Sequence, residues 1–191
     1  EAIKASNADM PVMMWGLHPS ALPDETLEEE CVDFVMKGEG IESIHQFIQS
    51  IGNMGEYDNI DGLFYKKNGM VCGNVRLNLV APDDIPEPAW DMLPMERYKA
   101  HNWQRFGSLE DGGYAVIATS LGCPFQCSFC AVSTLFGEKK VRYISPQKVV
   151  KMIDHLVKEY QVKYIKLLDE NFVLNMKHVE EICNLLIERN Y

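Results

Sequence analysis

The 191-residue sequence is acidic: 18 Lys and Arg residues stand against 28 Asp and Glu residues, for a formal net charge of -10. This balance argues against a broad nucleic-acid-binding surface, because phosphate contacts need clustered Lys and Arg. The 47% apolar content suits a packed core, and no stretch approaches the roughly 20 apolar residues that span a bilayer. We therefore expect a cytoplasmic protein with no nucleic-acid partner and no membrane span.

The first third alternates strand and helix patterns. Apolar runs at residues 11–15 and 31–36 each end near a glycine and predict two buried strands. Pro23 opens a short acidic helix between them, and a stripe of isoleucines after Gly40 predicts an amphipathic helix that stops at Gly52. The stripe consists of Ile41, Ile44, Ile48 and Ile51. This order is typical of a parallel α/β sheet.

A different pattern follows. Asn68-Gly69 lies between two β-prone runs and predicts a hairpin with a tight turn. Residues 82–94 then hold four prolines, which indicates a semi-rigid linker and a domain boundary.

The last third returns to alternating strands and helices. Residues 114–120 predict a buried strand that runs straight into a cysteine-rich loop. Ser145-Pro146 predicts the start of a helix, residues 162–170 predict another strand, and Asn175 predicts a cap for a last helix. Val179, Ile182, Cys183 and Leu186 form the predicted apolar face of that last helix. Two such β-α units could open a (β/α) barrel or a doubly wound sheet.

The cysteine loop carries the strongest chemical signal. Cys123, Cys127 and Cys130 follow the predicted strand at spacings of four and three residues. Thiolates are soft ligands for iron-sulfur clusters or zinc, and three ligands leave one iron of a 4Fe-4S cluster open for a small molecule. Zinc normally takes four ligands in paired motifs, and the other cysteines are isolated in the sequence, so zinc is the weaker alternative.

This loop resembles that of radical S-adenosylmethionine (SAM) enzymes, whose CxxxCxxC motif has an aromatic residue, here Phe129, before the last cysteine. The resemblance implies that the three cysteines hold a 4Fe-4S cluster, which cleaves SAM to methionine and a 5'-deoxyadenosyl radical. It also implies that Phe129 contacts the SAM adenine. Asp169 or Glu170, after the next strand, would accept hydrogen bonds from the SAM amino group.

The first third resembles the cobalamin-binding subgroup of this family. Gly16 and His18 match its GxHP-like loop, and Gly38, Glu39 and Gly40 match its GEGE-like loop, although the fourth residue here is Ile. The resemblance implies the C-terminal part of a Rossmann-like cobalamin domain at residues 1–54. A hairpin and linker at residues 55–106 and the first part of a radical SAM barrel at residues 107–191 would follow.

The implied function is SAM cleavage in a cobalamin-dependent enzyme, with methyl transfer as the common outcome and radical rearrangement or oxidative cyclisation as others. A radical SAM enzyme without functional cobalamin and a non-catalytic cysteine-ligated metal module are the alternatives. Expected partners are a small-molecule substrate and an electron donor such as flavodoxin or ferredoxin. The chain opens without Met inside a predicted helix over residues 1–8, so we expect an incomplete piece, inactive alone, of a longer protein.

Overall fold

The computed structural model describes residues 1–29, 31–51, 57–77, 79–101 and 112–191. The chain forms two compact units. The first contains residues 1–80 and 124–140, and the second contains residues 81–123 and 141–191. The predicted domain boundaries at 54/55 and 106/107, and the predicted helix stop at Gly52, lie outside the described residues.

The first unit is built on a four-stranded sheet in the order β1-β2-β3-β4. Its strands are β1 (Met13–Trp15), β2 (Phe34–Met36), β3 (Leu63–Lys67) and β4 (Met70–Gly73). β1 and β2 are parallel, whereas β2–β3 and β3–β4 are antiparallel. The helices of this unit are α1 (Ala2–Ser6), α2 (Leu17–Ala21), α3 (Pro23–Glu28), α4 (Ile41–Ser50) and α5 (Val132–Phe136), with a 3-10 turn at Tyr57–Asn59.

The predicted hairpin is present, and it extends the first sheet. Asn68 and Gly69 both have positive φ angles, of 53° and 77°, as a tight primed turn requires. β3 also pairs with β2, where Tyr65 lies opposite Phe34. The hairpin therefore belongs to the first unit.

Two burial predictions for the first unit are wrong. The sequence predicts a buried β1, but Met14 and Trp15 are 40% and 53% exposed, and β1 lies at the end of the described four-stranded sheet. In α4, Phe47 is buried with Ser43 and Ser50, whereas Ile48 and Ile51 are exposed. Phe47 turns this face inward because its ring packs against Phe34 and Tyr57, with centroids 4.6 and 5.7 Å away.

The second unit holds the later strands and the two long helices. β5 (Gly113–Ile117) pairs in parallel with β8 (Val162–Leu167), and β6 (Ser120–Leu121) pairs antiparallel with β7 (Arg142–Tyr143). The helices are α6 (Pro146–Tyr160) and α7 (Met176–Glu188). Short 3-10 turns lie at Pro82–Asp84, Trp90–Met92, Met95–Arg97 and Phe172–Leu174. The predicted α/β class is confirmed.

Both predicted caps of the second unit are present. The Ser145 hydroxyl accepts a hydrogen bond from the backbone N–H of Lys148 at 3.4 Å, and the Asn175 side chain accepts one from His178 N–H at 3.3 Å. On α7, Ile182 is buried as predicted, but Cys183 is exposed and His178 is buried instead. Leu186 packs on the core formed by α6, β5 and β8 as predicted, and Leu185 packs there as well, so the apolar face is rotated toward His178 and Leu185.

The proline-rich segment is fixed on the second unit. Trp90 and Met95 are buried in its hydrophobic core. Lys148 Nζ donates to the Asp83 carbonyl at 2.7 Å, and His155 Nδ1 lies 3.0 Å from Glu87 Oε2. Among the residues that the structure describes, no helix is both long and apolar enough to cross a membrane.

Candidate cofactor site

The cysteine loop begins where β5 ends. The chain leaves β5 through the fully buried Thr119, forms the short β6, and turns at Gly122, whose φ is +89°. Cys123 follows and is half-buried. Because parallel strands place functional loops at their carboxyl ends, this is the position at which α/β folds build active sites.

The other two cysteines of the motif lie in a turn of the first unit. The backbone N–H of Cys130 donates to the Cys127 carbonyl at 3.0 Å, and both side chains are exposed. All six cysteines are free thiols. Within the described ranges, no three His, Cys, Asp or Glu side chains are arranged so that they could hold a metal ion, so the cluster ligands stay a prediction from spacing.

The predicted SAM-binding side chains differ in exposure. Phe129 is 91% exposed and Glu170 is exposed, whereas Asp169 is only partly exposed. An aromatic ring that contacts so little protein keeps its face available to a ligand.

Asp169 is engaged by the segment that precedes the cysteine loop. Its carboxylate accepts hydrogen bonds from the Thr119 N–H at 3.2 Å, from the Thr119 hydroxyl at 2.8 Å and from the Ser120 hydroxyl. Leu168 N–H donates to the Ile117 carbonyl at 2.8 Å, which continues the β5–β8 pairing to this point. The carboxylate therefore links the carboxyl ends of the two parallel strands.

Thr119 and Ser120 are structural participants that the sequence argument missed. Both are buried, at 0% and 6% exposure. A polar pair at the end of an otherwise apolar strand is the signal that could have identified them, because a buried hydroxyl needs a hydrogen-bond partner.

The predicted cobalamin-binding residues fall into an accessible pair and a buried group. His18 is exposed, and Gly16 has a φ of +117° with nothing within 4 Å of the position that a Cβ would take. Four large apolar side chains near this pair in the chain are also exposed: Met14, Trp15, Leu17 and Leu22.

Gly38, Glu39 and Gly40 are all buried. Gly38 N–H donates to the Ser20 hydroxyl at 3.0 Å, and its carbonyl accepts from Trp15 Nε1 at 2.7 Å. At Gly40, whose φ is +72°, a Cβ would lie 2.9 Å from Ile44 Cδ1. Packing within the unit thus explains both glycines without a ligand.

Comparison with known proteins identifies the superfamily of the chain. Residues 117–191 match the model of the radical SAM superfamily. An uncharacterized methyltransferase of Pyrococcus horikoshii is 37% identical over 182 residues, covering 94% of this chain and 37% of that protein. The anaerobic magnesium-protoporphyrin IX monomethyl ester cyclase of Rubrivivax gelatinosus is 26% identical over 98% of this chain and 33% of its own length.

A solved structure shows the same fold. The radical S-adenosylmethionine methyltransferase TsrM from Kitasatospora setae, with cobalamin and a 4Fe-4S cluster bound, has a TM-score of 0.65. It is 18% identical, with 95% of this chain and 34% of that chain covered. The chain thus spans about a third of the length of the proteins it matches.

The fold and the loop therefore define an α/β protein of the radical SAM class. The chain belongs to the radical SAM superfamily.

Proposed function

We propose that this chain is part of a cobalamin-dependent radical SAM enzyme in which Cys123, Cys127 and Cys130 hold a 4Fe-4S cluster. The observation that carries the proposal is the CxxxCxxC loop, which follows the carboxyl end of β5 within the matched region. Three free thiols within eight residues suit an iron-sulfur cluster, because thiolates are its usual ligands. When bound, such a cluster supplies the electron for reductive cleavage of SAM.

The protein's own part is to bind and orient SAM. Phe129 is proposed to stack on the adenine, which its exposure supports. Asp169 or Glu170, at the carboxyl end of β8, is proposed to supply the carboxylate that accepts hydrogen bonds from the cationic SAM amino group.

Cobalamin is proposed to lie against Gly16 and His18. The open space over Gly16 and the four exposed apolar side chains of the same chain segment support this placement, because exposed apolar groups that form a patch mark binding surfaces. Gly38, Glu39 and Gly40 are proposed to shape the same site from the end of β2 through their buried backbone, which Ser20 and Trp15 hold at Gly38.

Methyl transfer to a small molecule is the proposed outcome. The methyltransferase relative at 37% identity supports it over the cyclisation named for the second relative. The proposed organisation has a cobalamin domain at residues 1–54 and the start of the barrel at 107–191. Of the predicted hairpin and linker at 55–106, the hairpin joins the first sheet and the proline-rich segment packs in the core of the second unit. A small redox protein such as flavodoxin or ferredoxin is the proposed electron donor.

Anaerobic reconstitution of the full-length protein with iron and sulfide tests the cluster. We expect about four irons per protein and formation of 5'-deoxyadenosine from SAM, both lost in Cys127→Ala. Cys183→Ala is the matched control, since Cys183 is also exposed but lies on α7 outside the motif. Stoichiometric zinc without iron uptake would refute the proposal in favour of a non-catalytic metal module.

Titration of the same protein with hydroxocobalamin tests the second cofactor. We expect binding that weakens in His18→Ala and stays unchanged in His45→Ala, which alters a solvent-facing residue of α4. Deoxyadenosine formation without any cobalamin binding would indicate the alternative of a radical SAM enzyme that lacks functional cobalamin.

A further inference from the structure

We propose that Asp169 is a positioning residue that holds Cys123 through Thr119 and Ser120, so that Glu170 is the carboxylate left for the SAM amino group. The inference rests on the proposed function. The sequence assigns the SAM amino group to Asp169 or Glu170, and the structure gives these two residues different roles.

The Asp169 carboxylate accepts several hydrogen bonds from within the protein. Its Oδ1 accepts from three donors, namely the Thr119 N–H, the Thr119 hydroxyl and the Ser120 hydroxyl, and Oδ2 accepts from the same Thr119 N–H at 3.2 Å. Oδ1 is therefore fully used within the protein, whereas Oδ2 shares only the Thr119 N–H. A ligand ammonium group could reach only Oδ2, so Asp169 offers it less acceptor capacity than a carboxylate that faces solvent.

The two donor residues, Thr119 and Ser120, lie just before the cysteine loop. Thr119 and Ser120 are buried and lie four and three residues before Cys123. On its other side this segment is held by β7 and the residue after it: Ser120 pairs with Tyr143, and Ile144 N–H donates to the Thr119 carbonyl at 2.9 Å. A shift at Thr119 therefore changes the direction in which the chain enters the cysteine loop.

Glu170, unlike Asp169, has an exposed side chain. It follows Asp169 directly, but its side chain is exposed. A carboxylate at the end of β8 that faces solvent can reach a ligand without releasing a buried hydroxyl.

The test uses full-length Asp169→Ala, Asp169→Asn and Glu170→Gln proteins, each studied as apoprotein and after anaerobic reconstitution. In the apoprotein, Asp169→Ala should speed amide exchange at Thr119 by about tenfold or more, because Asp169 accepts that amide. After reconstitution, it should alter the electron paramagnetic resonance spectrum of the SAM-free reduced cluster. In Asp169→Asn, the Thr119 exchange rate and the spectrum of the SAM-free cluster should both lie close to those of the wild type, since the Asn carbonyl oxygen can still accept hydrogen bonds.

SAM affinity separates the two carboxylates. Glu170→Gln should weaken SAM binding about tenfold and leave the SAM-free spectrum and Thr119 exchange unchanged. Asp169→Asn should bind SAM within about threefold of the wild type. Should Asp169→Ala not fold, Ser120→Ala removes a single donor and should produce a smaller spectral change of the same kind.

A normal SAM-free spectrum in Asp169→Ala, or a tenfold loss of SAM affinity in Asp169→Asn with an intact spectrum, would overturn the inference. Failure of the wild-type protein to take up iron would instead refute the proposed function, and Thr119 exchange in the apoprotein would still test the hydrogen bonds separately.

Discussion

At the scale of single residues, neighbouring positions of one motif have different physical roles. Asp169 and Glu170 are adjacent acids, yet one accepts hydrogen bonds from buried groups and the other faces solvent. Gly16 and Gly40 are both glycines with positive φ, yet one has open space where a Cβ would lie and the other is packed closely. The surroundings of a motif residue therefore decide whether it can contact a ligand or only shape the backbone.

The close packing around Gly40 can be tested by measuring the stability of a variant with a larger side chain. In Gly40→Ala the new Cβ would lie 2.9 Å from Ile44 and 3.1 Å from Met36, in a left-handed conformation that Ala disfavours. We expect the free energy of unfolding to fall by about 2–4 kcal/mol, measured by urea denaturation of the full-length protein. Gly69→Ala is the control, because its φ of +77° carries the conformational cost alone, with nothing within 4 Å. Equal losses in the two variants would show that the packing around Gly40 yields freely.

At the scale of secondary-structure elements, the β3–β4 hairpin holds a carboxylate, that of Asp58, by hydrogen bonds from strand side chains. Tyr65 on β3 is buried, with its ring edge-on to that of Tyr57 at 5.4 Å between centroids. Its hydroxyl donates to Asp58, which also accepts from Lys67 at 3.2 Å. Hydrogen bonds from Tyr65 and Lys67 lower the pKa of Asp58. Burial and the Asp58 hydrogen bond raise the pKa of Tyr65 to about 12.

The first unit should therefore become less stable as the pH rises into the alkaline range. The unfolded chain releases the Tyr65 proton near the ordinary tyrosine pKa of 10.0, before the folded chain does. The stabilisation is complete below that value and is lost as pH rises toward about 12. Urea unfolding of the wild type across this window should show the loss, and Tyr65→Phe should remove this component of it.

Tyr98→Phe serves as the control for that titration, since Tyr98 is exposed in the second unit. An ultraviolet titration in which Tyr65 ionises with an ordinary pKa would contradict the expectation.

At the scale of the whole molecule, residues far apart in sequence build each unit. Residues 124–140 belong with the N-terminal sheet, while the proline-rich segment belongs with the C-terminal helices. Trp90 is 7% exposed in a core that includes Val149, Ile153 and Ile182. A segment with the composition of a linker thus contributes a large buried side chain to a folded unit.

Trp90→Ala tests that contribution. Removing a buried Trp should lower the free energy of unfolding by about 3–5 kcal/mol, and amide exchange should become faster in peptides from α6 and β8. Met92→Ala, which alters an 80% exposed residue of the same segment, should change neither. If the two variants behave alike, the segment is a linker after all.

Several elements could be predicted closely because their causes are local. The Asn68-Gly69 turn, the Ser145 and Asn175 caps and the cysteine spacing each depend on residues only a few positions apart. The inward face of α4 could not be predicted this way. The isoleucine stripe was a sound periodic signal, but Phe47 packs against Phe34 and Tyr57, which come from other elements.

The sequence by itself determined the α/β class, the cysteine motif and the family, because each follows from the order and spacing of neighbouring residues. Only the tertiary structure decided that β1 is an exposed edge strand, that Trp90 is part of a core, and that Asp169 is bound to Thr119. The last two residues are 50 positions apart, and they meet because β5 and β8 pair in parallel. Such long-range pairing decides which side chains are already engaged within the protein.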